Sequence, residues 1–302
     1  MSDLVCAIIG GTGVGEKLAS TTRGETLDVE TPYGKPSGPL LRTRLEGVDV
    51  IFLARHGEGH LLPPTAVPFR ANVWAFKSLG VTHILASGAV GSLREEIRPR
   101  DLVVPDQVID KTHRRASTFF DQPGVAAHVE FAEPFCPLLR ERLLACADAV
   151  RTTVHDGGAY VCMEGPMFST VAESRMHRAW GGDLIGMTCM PEAKLAREAE
   201  MCYALLALPT DYDCWRPHDP TKNRRDLLKE IISHAEAVSD HSIDVFRAVL
   251  KSLAATPPGD CACRHALELA IWSDRRRVPA ALQERLAPIL RTHLQPASKP
   301  AQ

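Results

Sequence analysis

The sequence predicts an α/β fold, with a mixed, largely parallel central sheet between helices. Three observations point there. Apolar strand-like runs alternate with segments of helical spacing for most of the length. Two of the strand-like runs empty into turns of small residues, "GGTGVG" and "SGAVGS". The 302 residues, 45% hydrophobic and 24% charged, suffice for a substantial core and are ordinary for a soluble globular enzyme.

Residues 4–9 read as a strand feeding a turn that holds Gly10, Gly11, Gly13 and Gly15, with one hydroxyl, Thr12. "DVIFLARHG" is an apolar strand ending in Arg55-His56, and "FRANVWAFKSLG" has helical spacing through Val73, Phe76 and Leu79 and stops at Gly80. "VTHILASGAVGSL" is a strand into the second small-residue turn, Ser87-Gly88-Ala89. A helix over 134–150 and a strand over 159–165 follow. Thr170 and Glu173 make a capping-box pattern that opens a helix running to Trp180. A strand over 183–190 leads to Pro191 at a helix N1 position, and "CYALLALPTDYD" is a strand ending in two carboxylates. A long helix covers most of 225–253. The pattern breaks at "ATPPGD", so residues 1–254 read as the main domain. Residues 255–302 read as an appendage of two short helices, 263–273 and 279–294, packed on it and ending in a frayed tail.

The formal net charge of −2 supplies no basic field for nucleic acid and no polybasic run for a membrane surface. No apolar stretch approaches the roughly 18 residues of a spanning helix. Nine scattered cysteines fit a reducing compartment, and a cytoplasmic location is expected. Cys6, Cys136, Cys146, Cys162, Cys189 and Cys202 sit in apolar runs, where cysteine behaves as a small hydrophobe. Cys261 and Cys263 form a C-x-C with His265 after it, which raises a metal site; no second pair stands at zinc-like spacing, so two thiols near a helix start are favoured and no metal is expected.

The glycine-rich turn lacks the G-x-G-x-x-G spacing and the later acidic residue of a dinucleotide site, and no P-loop motif occurs. The other strand ends say more, because α/β sheets bind ligands beyond the carboxyl ends of their strands. They supply Thr12, Arg55, His56, Ser87, Ala89, Glu164, Thr188, Asp211 and Asp213. A guanidinium, an imidazole, hydroxyls and backbone donors suit a free tetrahedral oxyanion, and paired carboxylates suit a protonatable organic group. Phosphate plus a nitrogen base fits both. Taken singly, Thr12 could cap its turn, His56 could be a core histidine, Phe168 and Met187 could be core, and Glu164 is evenly balanced between structure and site.

"IIGGTG", "LARHGEGH", "AVGSLREEIRPRDLVVPDQVID", "EGPMFST", "GMTCMPEAKLAREAEMCYA" and "TDYDCW" resemble the purine nucleoside phosphorylase superfamily, most of all its S-methyl-5′-thioadenosine phosphorylase branch. The resemblance implies a single-domain phosphorylase/hydrolase-like three-layer fold. It implies a pentosyltransferase of purine and methionine salvage that needs no cofactor, with orthophosphate as co-substrate, in a homotrimer. It sets phosphate against Thr12, Arg55, His56, Ala89 and Thr188. Gly88 stands where relatives often carry a hydroxyl, and Ser87 is the candidate substitute. Phe168 and Met187 would flank base and ribose, and His128 would reach the 5′ end of the sugar. Arg55 is expected to grip two phosphate oxygens and His56 to add a donor. Asp211, buried beside another carboxylate and therefore raised in pKa, would protonate the purine N7, while Asp213 accepts from a 6-amino group. Leu227, Leu228 and Ile231, or the C-terminal helices, would close the 5′ end. Two alternatives stay open: a phosphorylase of adenosine, inosine, guanosine or methylthioinosine, and a dinucleotide-binding oxidoreductase.

Overall fold

A computed structural model describes residues 4–11, 13–217, 221 and 223–294. Thr12 and the expected frayed tail lie outside the described residues. The strands are β1 (Val5–Gly10), β2 (Glu25–Leu27), β3 (Leu40–Leu45), β4 (Val48–Ala54), β5 (His83–Ser92), β6 (Leu102–Val104), β7 (Gln107–Asp110), β8 (Val154–Asp156), β9 (Ala159–Cys162), β10 (Leu184–Gly186) and β11 (Cys202–Asp211). The helices are α1 (Val14–Thr21), α2 (Phe69–Ser78), α3 (Pro137–Ala145), α4 (Val171–Ala179), α5 (Cys189–Glu198), α6 (Arg224–Ala255), α7 (Ala280–Arg285) and α8 (Ala287–Leu294).

One sheet runs β2-β3-β4-β1-β5-β10-β9-β7, and β11 branches from β5 toward β6 and β8. The central pairings β4–β1, β1–β5 and β5–β11 are parallel, whereas β10 joins the far end of β5 antiparallel. β5 is therefore the branch strand. His83 pairs with both Cys6 and Cys202 at one end, and Ser92 pairs with Leu184 at the other. Successive residues of β1 face opposite layers. Val5, Ala7 and Ile9 join the core under α2, α5, α7 and α8, while Cys6 and Ile8 join the core under α1, α3 and α6. Burying one such Ile or Phe side chain contributes about 1.5–3 kcal/mol.

α4 opens as the sequence predicts. The Thr170 hydroxyl accepts the Glu173 N–H at 3.2 Å, and the Glu173 carboxylate accepts the Thr170 N–H at 2.8 Å. The C-terminal segment departs from expectation. Its first part makes only a 3₁₀ turn, Ala262–His265. The chain is then drawn out by a bridge between Ile271 and Ala127 and by the Trp272 N–H donating to the Ala126 carbonyl. The second predicted helix is split into α7 and α8, because Pro288 has no N–H to continue the ladder. Leu282, Leu286, Ile289 and Leu290 are buried in the same cluster as Phe76 of α2. α1 and β2 fall in the stretch after the glycine turn, to which the sequence analysis assigns no element. The strand expected over 183–190 shrinks to β10, because Met187 and Thr188 already form the turn into α5.

Glu198, near the end of α5, is buried and accepts the Thr118 hydroxyl at 2.6 Å and the Phe119 N–H at 2.7 Å. Burial pushes its pKa from 4.5 up to about 7, against those two hydrogen bonds, with Asp121 adding to the rise and Lys194 opposing it. The folded state thus holds a proton that the unfolded chain releases, so this group's contribution to stability falls as pH rises from 4.5 to about 7. Glu198→Gln keeps an acceptor for Phe119 and removes the titration. In urea unfolding across that window, the variant should gain on the order of 3 kcal/mol relative to the parent. Parallel pH profiles for the two proteins would contradict this.

Candidate active site

β4 delivers Arg55 into the interior, where its side chain is fully buried. Its Nε and Nη2 donate to the two carboxylate oxygens of Glu192 at 2.8 and 2.9 Å, and Nη1 donates to the Ser87 carbonyl at 2.7 Å. Glu192, in the first turn of α5 and itself buried, also accepts the Tyr203 hydroxyl at 2.8 Å. Burial alone would pull the Arg55 pKa down, but Glu192 outweighs it and raises it. The two-pronged edge of Arg55 is therefore spent on Glu192 rather than left for an anion, which corrects the sequence expectation.

Arg55 Nη1 keeps one N–H beyond the one given to the Ser87 carbonyl. A methyl group built on Gly11 would stand 3.1 Å from Arg55 Nη1 and 3.1 Å from Gly88 Cα, and one built on Gly88 would stand 3.3 Å from Thr188 Oγ1. Arg55, Gly11, Gly88 and Thr188 thus share one locus, with the half-buried Ala89 next along β5. Thr188 occupies the N-cap of α5, yet its hydroxyl makes no capping bond. Ser87 does not stand in for a hydroxyl at 88: it is buried, and its Oγ accepts the Gly11 N–H at 3.4 Å.

His56 also departs from expectation. Its Nδ1 lies 2.8 Å from the Leu62 carbonyl, which can only accept, so Nδ1 carries the proton. Burial and the neighbouring Arg55 charge hold the ring pKa down at about 4. At neutral pH the ring is uncharged and Nε2 is an acceptor, not the second donor expected. The ring stacks on His60 with centroids 4.2 Å apart.

Further along the same rim, β11 ends in the carboxylates. Asp211 Oδ1 accepts the Asp213 N–H and Oδ2 accepts the Thr210 hydroxyl, both at 2.8 Å. Asp213 Oδ2 accepts the Ser174 hydroxyl of α4 at 2.5 Å. Its own backbone sits at a φ of +42°, a conformation that costs a non-glycine residue free energy and clusters at functional sites. Both lie over Gly91, where an added methyl would meet Asp213 Cβ at 3.1 Å and Asp211 Oδ1 at 3.3 Å. They are half-buried, not the deeply buried pair the apolar run before them suggested. A cavity of about 410 Å³ opens beside them, walled by Pro99, Leu227, Ile231 and His234. His234 reaches the Thr210 carbonyl at 2.8 Å. Leu228 does not join this wall and is exposed.

A model of the phosphorylase superfamily matches residues 6–251. The chain belongs to that superfamily. It is 48% identical to the S-methyl-5′-thioadenosine phosphorylase of Thermosynechococcus vestitus, over 95% of this chain and 98% of that protein. Against the enzyme of that name from Geobacter sulfurreducens, identity is 45% over 96% of this chain and 99% of the relative. The crystal structure of a methylthioadenosine phosphorylase from an antarctic soil metagenomic library superposes with a TM-score of 0.86 at 41% identity, covering 96% of this chain and all 100% of the other. The Schistosoma mansoni methylthioadenosine phosphorylase in complex with adenine gives 0.76 at 32% identity, covering 96% and 98%.

On this superfamily member, the remaining predicted residues fall in three places. Phe168 is 84% exposed and lines a second cavity, of about 440 Å³, with Met163, Glu164, Met167 and His177. That cavity adjoins the carboxylates through the Ser174–Asp213 bond and the Cys214 Sγ–Ser169 carbonyl contact at 3.2 Å. Met187 lies against Gly165, and its carbonyl accepts from Arg115 at 2.6 Å. Among the described residues, His128 does not meet these groups. It is exposed and packs on Trp272 of the C-terminal segment, with ring centroids 4.7 Å apart.

Glu164 lines that second cavity and is also tied to the backbone at 113. Although burial opposes ionisation, the His113 and Arg114 N–H groups and Arg115 hold its pKa below the ordinary value. Sequence reasoning missed Glu192, Tyr203 and Arg115. Arg115 donates to the carbonyls of Met187, Met190 and Glu164, fixing the turn that carries Thr188. Glu192 reads in sequence as an acid favoured by a helix start, and only the fold reveals its partner.

Proposed function

We propose that this phosphorylase cleaves 5′-methylthioadenosine with orthophosphate, giving adenine and 5-methylthioribose 1-phosphate in cytoplasmic purine and methionine salvage. One observation carries the reading. Gly88, beside Thr188 and the Arg55 locus, and Gly91, under Asp211 and Asp213, are three residues apart on β5, about 10 Å along the strand. That is the span of a sugar between a phosphate and a purine.

In this reading phosphate sits at Arg55 Nη1, the Thr188 hydroxyl and the backbone of Gly11, Thr12 and Ala89, with Ser87 bracing Gly11 from behind. His56 Nε2 accepts from a protonated phosphate oxygen or a sugar hydroxyl. The N-glycosidic bond breaks with cationic character at C1′, which the phosphate charge stabilises while one of its oxygens attacks. Asp211 is the acid that passes a proton to N7 so that adenine leaves neutral, and Asp213 accepts from the 6-amino group. Phe168 and Met187 flank base and ribose. Leu227 and Ile231 supply the apolar wall that a methylthio group needs and that the polar "RPHDPTKNRR" segment alone does not.

A homotrimer is part of the proposal. Leu269 and Trp272 are 91% and 75% exposed, an apolar surface that a second copy would cover, and His128 beside them would then serve the 5′ end of a neighbour's sugar. The test is free-base release from methylthioadenosine, adenosine and inosine, with and without phosphate. Phosphate-dependent adenine release from methylthioadenosine is expected, with kcat/KM on inosine lower by roughly 100-fold or more. Base release without phosphate, or a preference for inosine, would overturn it.

A further inference from the structure

Cys136, Cys202, Cys261 and Cys263 come from three separate segments, yet their Sγ atoms all lie within 4.8 Å of one another. All four are buried and none is in a disulfide. Cys136 stands at the N-cap of α3, and its N–H donates to the Tyr203 carbonyl at 2.8 Å, locking it beside Cys202 at the start of β11. Cys261 and Cys263 arrive on the 3₁₀ turn that follows α6, closed by the Arg264 N–H on the Cys261 carbonyl at 2.8 Å. Cys136 Sγ and Cys261 Sγ are 3.6 Å apart.

We infer that these four side chains form a structural tetrathiolate site for one zinc(II) ion. The geometry carries the inference. A zinc ion bonds thiolate sulfur at about 2.3 Å in a tetrahedron, so the sulfurs stand roughly 3.8 Å apart along each edge. The cluster is close to that scale, with one pair at 3.6 Å and none farther apart than 4.8 Å. Four thiols in contact gain little from each other, because S–H is a weak donor and sulfur a weak acceptor. Zinc binding replaces four S–H protons with one dication and releases four protons, leaving a site of charge −2. Arg197 lies within electrostatic reach of Cys263. His83 pairs with Cys202 across the sheet and lies within electrostatic reach of Cys261. Its Nε2 is buried with no hydrogen-bond partner among the described residues.

The third ligand the sequence suggested, His265, is instead exposed and held by Asp260 and Glu268, both at 2.7 Å. Cys136 and Cys202, read in sequence as small hydrophobes, take the places a second pair would fill. The ion would fasten the segment after α6 to the sheet, away from the Arg55 and Asp211 groups.

The test uses the full chain, expressed with zinc and purified under reductant. Elemental analysis should find about one zinc per chain, and cobalt(II) exchanged for it should give the intense visible bands of a tetrahedral thiolate complex. The double variant C261S/C263S should lose the metal and unfold at lower temperature, whereas C146S, outside the cluster, should keep both. A metal-free protein whose thiols all react, a mass showing two disulfides in the reduced preparation, or zinc retained by C261S/C263S would each overturn the inference. The cobalt spectrum of the parent decides the case even if the double variant fails to fold.

Discussion

Replacing Glu192 by Gln is expected to lower the free energy of unfolding by about 3–5 kcal/mol, although no atom is added or lost in volume. The reason lies in Arg55. Its guanidinium is wholly inside the protein and both prongs of its outer edge rest on Glu192. Neutralising the carboxylate leaves a buried positive charge that cannot deprotonate its way out, since arginine stays protonated at any working pH. Tyr203 loses its anionic acceptor in the same step. Urea unfolding at neutral pH reads the loss. Replacing both members, as Arg55→Met with Glu192→Met, should recover a large part of the stability, because the cost lies in the orphaned charge rather than in the absence of the pair. A loss below about 1 kcal/mol for Glu192→Gln would mean that Arg55 finds another anion or reaches water. The same variant should raise the KM for phosphate, since Glu192 fixes the guanidinium whose Nη1 lies beside Gly11.

The strand ends of the site were legible because they obey a topological rule: in a mostly parallel sheet, the residue after each apolar run lands on one rim. That rule brought Arg55, Ala89, Thr188 and Asp211 to one edge without knowledge of register. Charge partnership was not legible. Arg55 and Glu192 are separated by 137 positions, and nothing local to "MPEAKL" says that its acid faces inward. The tautomer of His56 depends on one carbonyl, that of Leu62, in a loop with no periodic signal. The four-cysteine cluster escaped for a related reason. Metal motifs are recognised as two close pairs, and here one pair is a C-x-C while the other is assembled by α3 and β11 meeting. In residues 263–273 the apolar spacing was read as helical, but Leu267, Ala270 and Ile271 are buried through turns and a bridge to residue 127, a contact no window of sequence contains.

Asp211→Asn should cut kcat/KM on adenine nucleosides by roughly 10²–10⁴-fold while leaving the fold intact. The fold survives because both local bonds of this side chain can be kept. A carboxamide oxygen still accepts the Asp213 N–H, and the amide nitrogen can donate to Thr210 Oγ1, whose own hydrogen can turn to the Val90 carbonyl 3.4 Å away. The loss is then chemical: an amide has no acidic proton to give N7, so the purine must leave as an anion. The same change reverses one preference. An amide N–H can meet the O6 of a 6-oxopurine, where two carboxylates present only lone pairs, so the ratio of methylthioadenosine to inosine turnover should fall by at least about tenfold. Steady-state rates on both nucleosides, with thermal unfolding as the control for folding, separate these effects. An unaltered ratio alongside a normal melting temperature would remove Asp211 from the base-binding role, whatever happened to the absolute rate.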